Sequence, residues 1–508
     1  MINLTPLIRP FFLRRVSAAR SWRGRVAEVQ QACLDSLVAR GRRTAYGAAH
    51  GFDRIRSYAD FAAAVPVVAY EDIRPWIMRA LAGERDVLWP GITDSFAQSS
   101  GTSDGKSKYI PITADSFRVN HYAGGRDVVA HYLGLYPDSR IFAGKSFILG
   151  GSFANEVKDL RPGVRVGDLS ANLIDNINPL VNLLRVPDKR TALMADWTEK
   201  LPALVEASLN QDITNISGVP SWFMTVIERV IERAGASTIH DVWPNLEVFF
   251  HGGISFEPYR EQYRRLTDPA RMRYLETYNA SEGFFAVQSS LDSRAMLLLL
   301  DVGVFYEFMP LDSVGADSPV LLPPWQVEPG ETYALVITAC NGLWRYAIGD
   351  TVTVESVDPL KITIAGRTKH FINAFGEELM VHNADAALSA ACAATGASLL
   401  NYTAAPVFAN GNKRGHHQWL IEWRDSPPSL DAFARELDDA LQRVNSDYQA
   451  KRSGGIFLDP PEIVVARPGL FDSWLASTGK LGGQRKVPRL ANDRRVIDRM
   501  LEFNNSQS

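Results

Sequence analysis

Apolar residues recur at helical spacing in some stretches of the chain and form short unbroken runs in others, and through the middle of the chain the two alternate. From about Tyr109 to Gly303, helical stretches such as Trp197–Leu209 and Ser221–Ala234 alternate with the runs Ser146–Leu149 and Leu246–Phe250, each leading into a Gly-Gly pair. This order predicts an α/β domain. In such domains ligands gather where strands end in glycine-rich loops, because free N–H groups and helix amino termini converge there. Past Gly366 the pattern changes: strand-like Leu399–Val407 and His417–Trp423 precede a helix over Leu430–Val444, with Phe433, Leu437, Leu441 and Val444 on one face, and a strand at Glu462–Ala466 follows. A small α+β domain of about 140 residues is predicted there, a normal domain size. Near the amino end, Val26, Val29, Cys33 and Leu37 predict a helix over Arg25–Arg40 that Gly41 terminates.

The 508 residues are 46% hydrophobic and 22% charged, which excludes a disordered or collagen-like chain, and no internal repeat is present. With 54 Lys and Arg against 57 Asp and Glu, the chain has no global positive field, so nucleic acid is not expected as a partner. No apolar run approaches the roughly 18 residues of a membrane span; the densest, Ala295–Leu300, is bounded by Arg294 and Asp301. Cys33, Cys340 and Cys392 are odd in number and far apart, which fits neither a disulfide framework nor a zinc cluster and points to a reducing cytoplasm. Arg9, Arg14, Arg15, Arg20, Arg23 and Arg25 have no acid among them, a composition shared by targeting peptides and lipid-surface arms. The favoured reading is an exposed lead-in to the helix that follows.

Six segments carry chemistry. Gln98–Thr113, QSSGTSDGKSKYIPIT, packs hydroxyls around Gly101 and Gly105 ahead of Lys106 and Lys108. Glycines let N–H groups close round an anion, and hydroxyls and lysines add donors and charge, so a phosphate cradle is the natural reading. It is not a Walker loop: Gly101 lies too close to Gly105, and Pro111 discourages the helix that should follow. A strand-to-strand hairpin is expected instead. Tyr278–Gly283, YNASEG, offers a flat ring and, in Glu282, a hard oxygen ligand for magnesium. Trp344–Asp350, WRYAIGD, offers a turn at Gly349 and an acceptor for ribose hydroxyls in Asp350. Leu246–Tyr259 runs a buried strand into Gly252 and Gly253, where backbone can approach a flat ligand. Ala365–Leu379 and Ser477–Arg489, the latter STGKLGGQRKVPR, set cations beside glycines.

In this order the segments resemble the adenylate-forming enzymes and, more narrowly, the auxin-responsive Gretchen Hagen family of acyl acid amido synthetases, whose first motif has the SSGTS-x-G-x-x-K form of Ser99–Lys108. The resemblance runs from about Gln30 to Arg489 and includes VPVVAYEDIRPWI, LAGERDVLWPG, VNSDYQAKR and GQRKVPR. It implies a large adenylate-forming-type amino-terminal domain, 1–366, and a smaller, mobile α+β carboxy-terminal domain, 367–508. It also implies a two-step reaction in which ATP activates a carboxylic acid as an acyl-adenylate and an amine, usually of an amino acid, displaces AMP. The alternative acceptor is coenzyme A. By resemblance, Ser99, Ser100, Gly101, Thr102 and Ser103 hold the phosphates, Glu282 the magnesium and Asp350 the ribose, while Tyr278, Gly252 and Gly253 border the adenine. Ser281 lies beside the metal position and Arg367 at the domain joint, and Lys486 is the late lysine that approaches the nucleotide. The expected partners are small molecules, and the expected state is a monomer.

Two departures stand out. Ala280 precedes Ser281 where many relatives have a hydroxyl, and Ala347 follows Tyr346 where an arginine is usual, leaving neighbouring Arg345 to serve near the site. His416 and His417, adjacent on a strand, should face opposite ways and be structural. Phe117, Tyr122, Val128 and Tyr132, on a helix expected over about Ser116–Leu133, are read either as acyl-pocket lining or as core.

Overall fold

The computed structural model describes residues 3–99, 108–153, 157, 160–254, 256, 259–290, 293–367, 371–377, 379–409, 414–477 and 487–506, with backbone alone at Glu261, Arg367, His382 and Ala476. These residues form two compact units, one running to Arg367 and one from Phe371 onward.

In chain order the first unit carries β1 (Ser95–Ser99), β2 (Lys108–Ile112), β3 (Lys145–Ile148), β4 (Arg165–Gly167), β5 (Arg185–Val186), β6 (Ile213–Gly218) and β7 (Val248–His251). Then come β8 (Arg273–Ala280), β9 (Gly283–Gln288), β10 (Met296–Leu298), β11 (Val304–Pro310), β12 (Thr332–Ala339), β13 (Tyr346–Val357) and β14 (Leu360–Arg367). β1 and β2 pair antiparallel from Ser95↔Ile112 to Ser99↔Lys108. The segment after the Ser/Thr/Gly loop is therefore a strand, as Pro111 required, and it lies at a sheet edge where a residue without an N–H is tolerated.

Among the described residues the large sheet has the order β11-β12-β13-β14-β10-β9-β8-β7-β6-β3-β5. β5, β3, β6, β7 and β8 are parallel neighbours, and every pairing from β8 to β11 is antiparallel. Parallel strands need long crossovers; the helices Trp197–Leu209 and Pro220–Ala234 lie in two of them, within a residue of their expected bounds. The change of direction falls at the two-residue connection Ser281–Glu282, between Ala280 and Gly283. Sheets of this kind place ligands where the connectivity reverses.

The helix Val26–Gly41 ends at Gly41 as expected, and that residue's lack of a side chain also serves packing: a Cβ there would stand 2.5 Å from the Trp344 ring. Two sequence expectations change in this unit. Arg345 does not serve the site. It is buried with φ +44°, pairs with the fully buried Glu307 at 2.8 Å, and donates to the carbonyls of Ala62 and Val65 at 2.9 and 2.8 Å. The amino-terminal segment is not an exposed lead-in. Thr5–Arg20 is a helix packed on the helix Tyr122–Leu135, and Arg15 bonds both oxygens of buried Asp127 at 2.8 and 2.7 Å and both of Asp301 at 2.8 Å. Among the described residues no helix is long and apolar enough to cross a membrane, and Cys33, Cys340 and Cys392 are free thiols.

The second unit carries β15 (Phe371–Ile372), β16 (Leu379–Met380), β17 (Ser398–Val407), β18 (His416–Asp425) and β19 (Glu462–Ala466). β17 pairs antiparallel with β18, which runs parallel to β19. The helix Leu430–Val444 has its expected bounds and buries Phe433, Leu437 and Leu441. His416 and His417 do separate: His416 bonds exposed Glu462 at 3.0 Å, whereas His417 is fully buried against Glu377 at 2.8 Å.

Two outcomes follow from the first unit. Arg15→Ala leaves Asp127 buried without its cation, so unfolding free energy should fall by about 2–4 kcal/mol, read as a lower denaturant midpoint. Burial holds His121 and His131 down at about 4 and His251 at about 3, against about 6.5 in an unfolded chain. Over that interval the unfolded chain binds protons that the folded one does not. Stability should be full above about pH 6.5 and fall as pH drops from there towards 4, by on the order of 2–3 kcal/mol per histidine, measurable as a pH series of melting temperatures.

Candidate active site

The site is built round β8. Its amino-terminal half lies in the parallel part of the sheet beside β7, and its carboxy-terminal half turns at Ser281–Glu282 into antiparallel β9. Two asparagine amides fix that turn. Asn120 accepts from the Phe284 N–H at 2.7 Å and donates to the Phe284 and Val302 carbonyls at 3.0 Å, and Asn341 donates to the Glu282 carbonyl at 3.0 Å. Both are nearly fully buried, and Glu282 is 9% exposed. Neither asparagine was found from the sequence, since a side-chain amide bonding backbone has no motif.

Tyr278, two residues from the end of β8, is 4% exposed and packs edge-on to Phe285 at 5.0 Å between ring centres. Its hydroxyl donates to Asp350 Oδ2 at 2.7 Å. Asp350 is also buried and stands opposite Arg367 in the β13–β14 register. On the β7 side, Thr277 Oγ1 donates to the His251 carbonyl at 3.1 Å. A Cβ on Gly252 would come within 2.6 Å of the Thr277 carbonyl oxygen, so this glycine is required by its own neighbour, and Gly253 has φ +84°, where glycine is favoured. One strand thus gathers Gly252, Tyr278, Ser281, Glu282 and Asp350.

Ser99 ends β1 opposite Lys108, whose ammonium lies 5.8 Å from the Tyr70 ring centre. Ser100, Gly101, Thr102, Ser103 and Lys486 lie outside the described residues, and Arg367 is described by its backbone alone. Within the second unit the residues just after Lys486 bond to β17 and to Asp385. Pro488 and Arg489 carbonyls accept from Thr403 Oγ1 at 2.7 Å and Ala404 N–H at 2.8 Å, and Arg489 bonds both oxygens of Asp385 at 2.9 and 2.6 Å. Of the expected acyl-pocket residues, Tyr132 is fully buried against Tyr136 and Phe250 and Val128 is core, while Phe117 and Tyr122 stack half-buried at 5.9 Å.

A magnesium ion suits this donor set. Mg²⁺ takes one or two carboxylates and fills its remaining positions with phosphate oxygens and water; Glu282 would offer one hard oxygen, with the Ser281 hydroxyl beside it in sequence. Among the described residues no group of three or more His, Cys, Asp or Glu could cage a metal alone.

A sheet that runs parallel and then antiparallel, followed by a smaller α+β unit, is a fold this chain shares with solved ligases. The structure resembles 2-hydroxyisobutyryl-CoA ligase captured with its acyl-adenylate and CoA, at TM-score 0.56 and 16% identity, covering 95% of this chain and 91% of that one. The chain belongs to the GH3 family: its N-terminal domain matches residues 20–272, its central domain 297–367 and its C-terminal domain 382–495. It is similar to the indole-3-acetic acid-amido synthetases GH3.8 of Oryza sativa subsp. indica and GH3.3 of Arabidopsis thaliana. Each is 24% identical over 91% of this chain, and the match covers 88% and 89% of those proteins. Among solved structures it resembles the GH3.15 acyl acid amido synthetase, at TM-score 0.62 and 18% identity over 97% of this chain and 96% of that one.

The Tyr278 hydroxyl is testable apart from any ligand. Tyr278→Phe removes one donor from buried Asp350 and should cost about 1–3 kcal/mol of stability, read by denaturant titration, while the ring keeps its packing on Phe285.

Proposed function

We infer that this GH3 protein is an ATP-dependent acyl acid amido synthetase, joining a small-molecule carboxylic acid to the amine of an amino acid. The bond that brings Asp350 of β13 to Tyr278 of β8, with Glu282 in the turn that ends β8, carries the reading, and the match of all three GH3 domains supports it. In the first step a carboxylate oxygen bonds the α-phosphorus of ATP, the bond to the β-phosphate oxygen breaks and pyrophosphate leaves. In the second an amine bonds the acyl carbon, AMP leaves with the bond's electrons, and the amine's proton passes to solvent or a base.

The first step brings an anion to a polyanion, so neutralising and aligning the charges is the main task. Ser99, Ser100, Gly101, Thr102 and Ser103 would hold phosphates with N–H and hydroxyl donors. Glu282 would hold magnesium, which supplies charge neutralisation across the phosphate oxygens when bound. Asp350, fixed by Tyr278 and opposite Arg367, would accept from the ribose hydroxyls, with Gly252 and Gly253 bordering the base. Lys486 would add a point charge on a flexible stem, suited to a contact made and released. No nucleophile of the chain is needed, because AMP is already a good leaving group.

Glu282→Ala and Asp350→Ala should each lower carboxylate-dependent pyrophosphate release by about 10²–10³-fold. Glu282 lies in a turn and Asp350 within β13, where removing its carboxylate takes the acceptor from the Tyr278 hydroxyl, so circular dichroism should report a folded protein. Lys486→Ala should slow the same half-reaction without changing the melting temperature. Pyrophosphate release at the wild-type rate from either acid variant would remove that residue from the site. Mass spectrometry of products formed with mixed amino acids or with coenzyme A decides the acceptor.

A further inference from the structure

The helix Thr5–Arg20 uses its two sides differently. One side is docked through buried Thr5, Val16 and Ala19 and through Arg15. The other side faces water with Leu7 80% and Phe11 60% exposed, Leu4 at the helix start 40% exposed, exposed Pro6 and Pro10 between them and Arg14 alongside. Positions 4, 7, 11 and 14 recur at helical spacing and form one stripe. A second apolar patch lies on the short helix Pro179–Leu183, where Leu180, Val181 and Leu183 are 74%, 51% and 70% exposed. Both patches attach to the same short stretch of backbone: Leu4 N–H donates to the Phe142 carbonyl at 3.3 Å, and Ser146 N–H to the Leu184 carbonyl at 2.9 Å. Large exposed apolar side chains grouped in this way mark an interaction surface.

Charge selects the partner. Residues 3–27 contain no acid, and Arg14, Arg20 and Arg23 are exposed with no ion pair among the described residues, whereas Arg15 and Arg25 are paired. A two-fold contact between copies would set these three arginines against themselves. An interfacial helix with apolar side chains flanked by free arginines instead fits an anionic bilayer, where the apolar groups enter the acyl boundary and the cations meet phosphates.

We propose that the outward face of the helix Thr5–Arg20 docks this protein reversibly on an anionic lipid surface. Leu7 and Phe11 insert, Arg14 on the same stripe contacts headgroups, and exposed Arg20 and Arg23 add longer-range attraction to the anionic surface. The proposal does not depend on the assigned chemistry, since none of these residues belongs to the candidate site.

The test is co-sedimentation of the full chain with vesicles of phosphatidylglycerol and phosphatidylcholine, against phosphatidylcholine alone, at low and high salt. Binding to the anionic vesicles, weakened by salt, is expected. The pair Leu7→Asp and Phe11→Asp should reduce it by about tenfold or more, and the triple change of Arg14, Arg20 and Arg23 to Glu should do the same. All five positions are exposed, so melting temperatures should stay within about 2 °C of the parent and pyrophosphate release should be unchanged. Absence of the wild-type chain from the anionic pellet, or undiminished binding by the Leu7/Phe11 variant, would overturn the proposal. So would light scattering showing a dimer that the same variant dissolves while vesicles bind nothing, which would assign the face to a second copy.

Discussion

The hydrogen bond from Tyr278 to Asp350, 2.7 Å long, joins two strands that do not pair. Between β8 and β13 lie β9, β10 and β14, so the antiparallel half of the sheet must curl for the two side chains to meet. A bond from a neutral donor to a charged acceptor contributes about 1.5–3 kcal/mol net, and leaving the carboxylate short of a donor in a buried place costs comparably. The bond thus fixes the distance between the motif on β8 and the motif on β13. The rest of the site is arranged along the same strand: Thr277, one residue earlier, ties β7 and forces glycine at 252, and Glu282, four residues later, occupies the reversal.

Much of this was legible in the sequence where the information is local. The parallel half was legible because helical and strand periods alternate there, and the helices Trp197–Leu209 and Leu430–Val444 came out with the bounds their apolar spacing predicts. Pro111, with the short Gly101–Gly105 spacing, argued against a Walker loop, since a residue that cannot donate belongs on an edge strand. The motifs were legible as residue types, glycines and hydroxyls for phosphates and acids for metal and ribose, but not as an arrangement. Nothing in YNASEG or WRYAIGD says that the tyrosine of one bonds the aspartate of the other across 72 residues of chain.

Partners at long range account for what was misread. Arg15 was one of several arginines in an acid-free stretch, and its partners Asp127 and Asp301 lie 112 and 286 residues away. Arg345 stood beside a functional motif and carried the charge a relative places within it, yet its partner is Glu307 on β11. A buried guanidinium requires a carboxylate and carbonyl acceptors to offset its desolvation, and Arg345 has both. Proximity in sequence to a site motif therefore says little about a long cation, because its reach is comparable to the spacing between elements.

On the proposed assignments the charges of the site divide by where they are held. The acids Glu282 and Asp350 stand on the reversing sheet, each braced by a buried donor to its backbone or side chain. The motif cations, Lys106, Lys108 and Lys486, come from the two glycine-rich segments instead. A frame of acids alone would repel a triphosphate, so nucleotide affinity must come from the metal and from those segments. Pyrophosphate and then AMP have to leave within one cycle, and a cation fixed in a rigid core beside them would bind both states alike and slow departure. On those assignments the attacked phosphorus has to be bound more strongly than pyrophosphate or AMP, and the sheet, through Glu282 and Asp350, would set where the nucleotide lies.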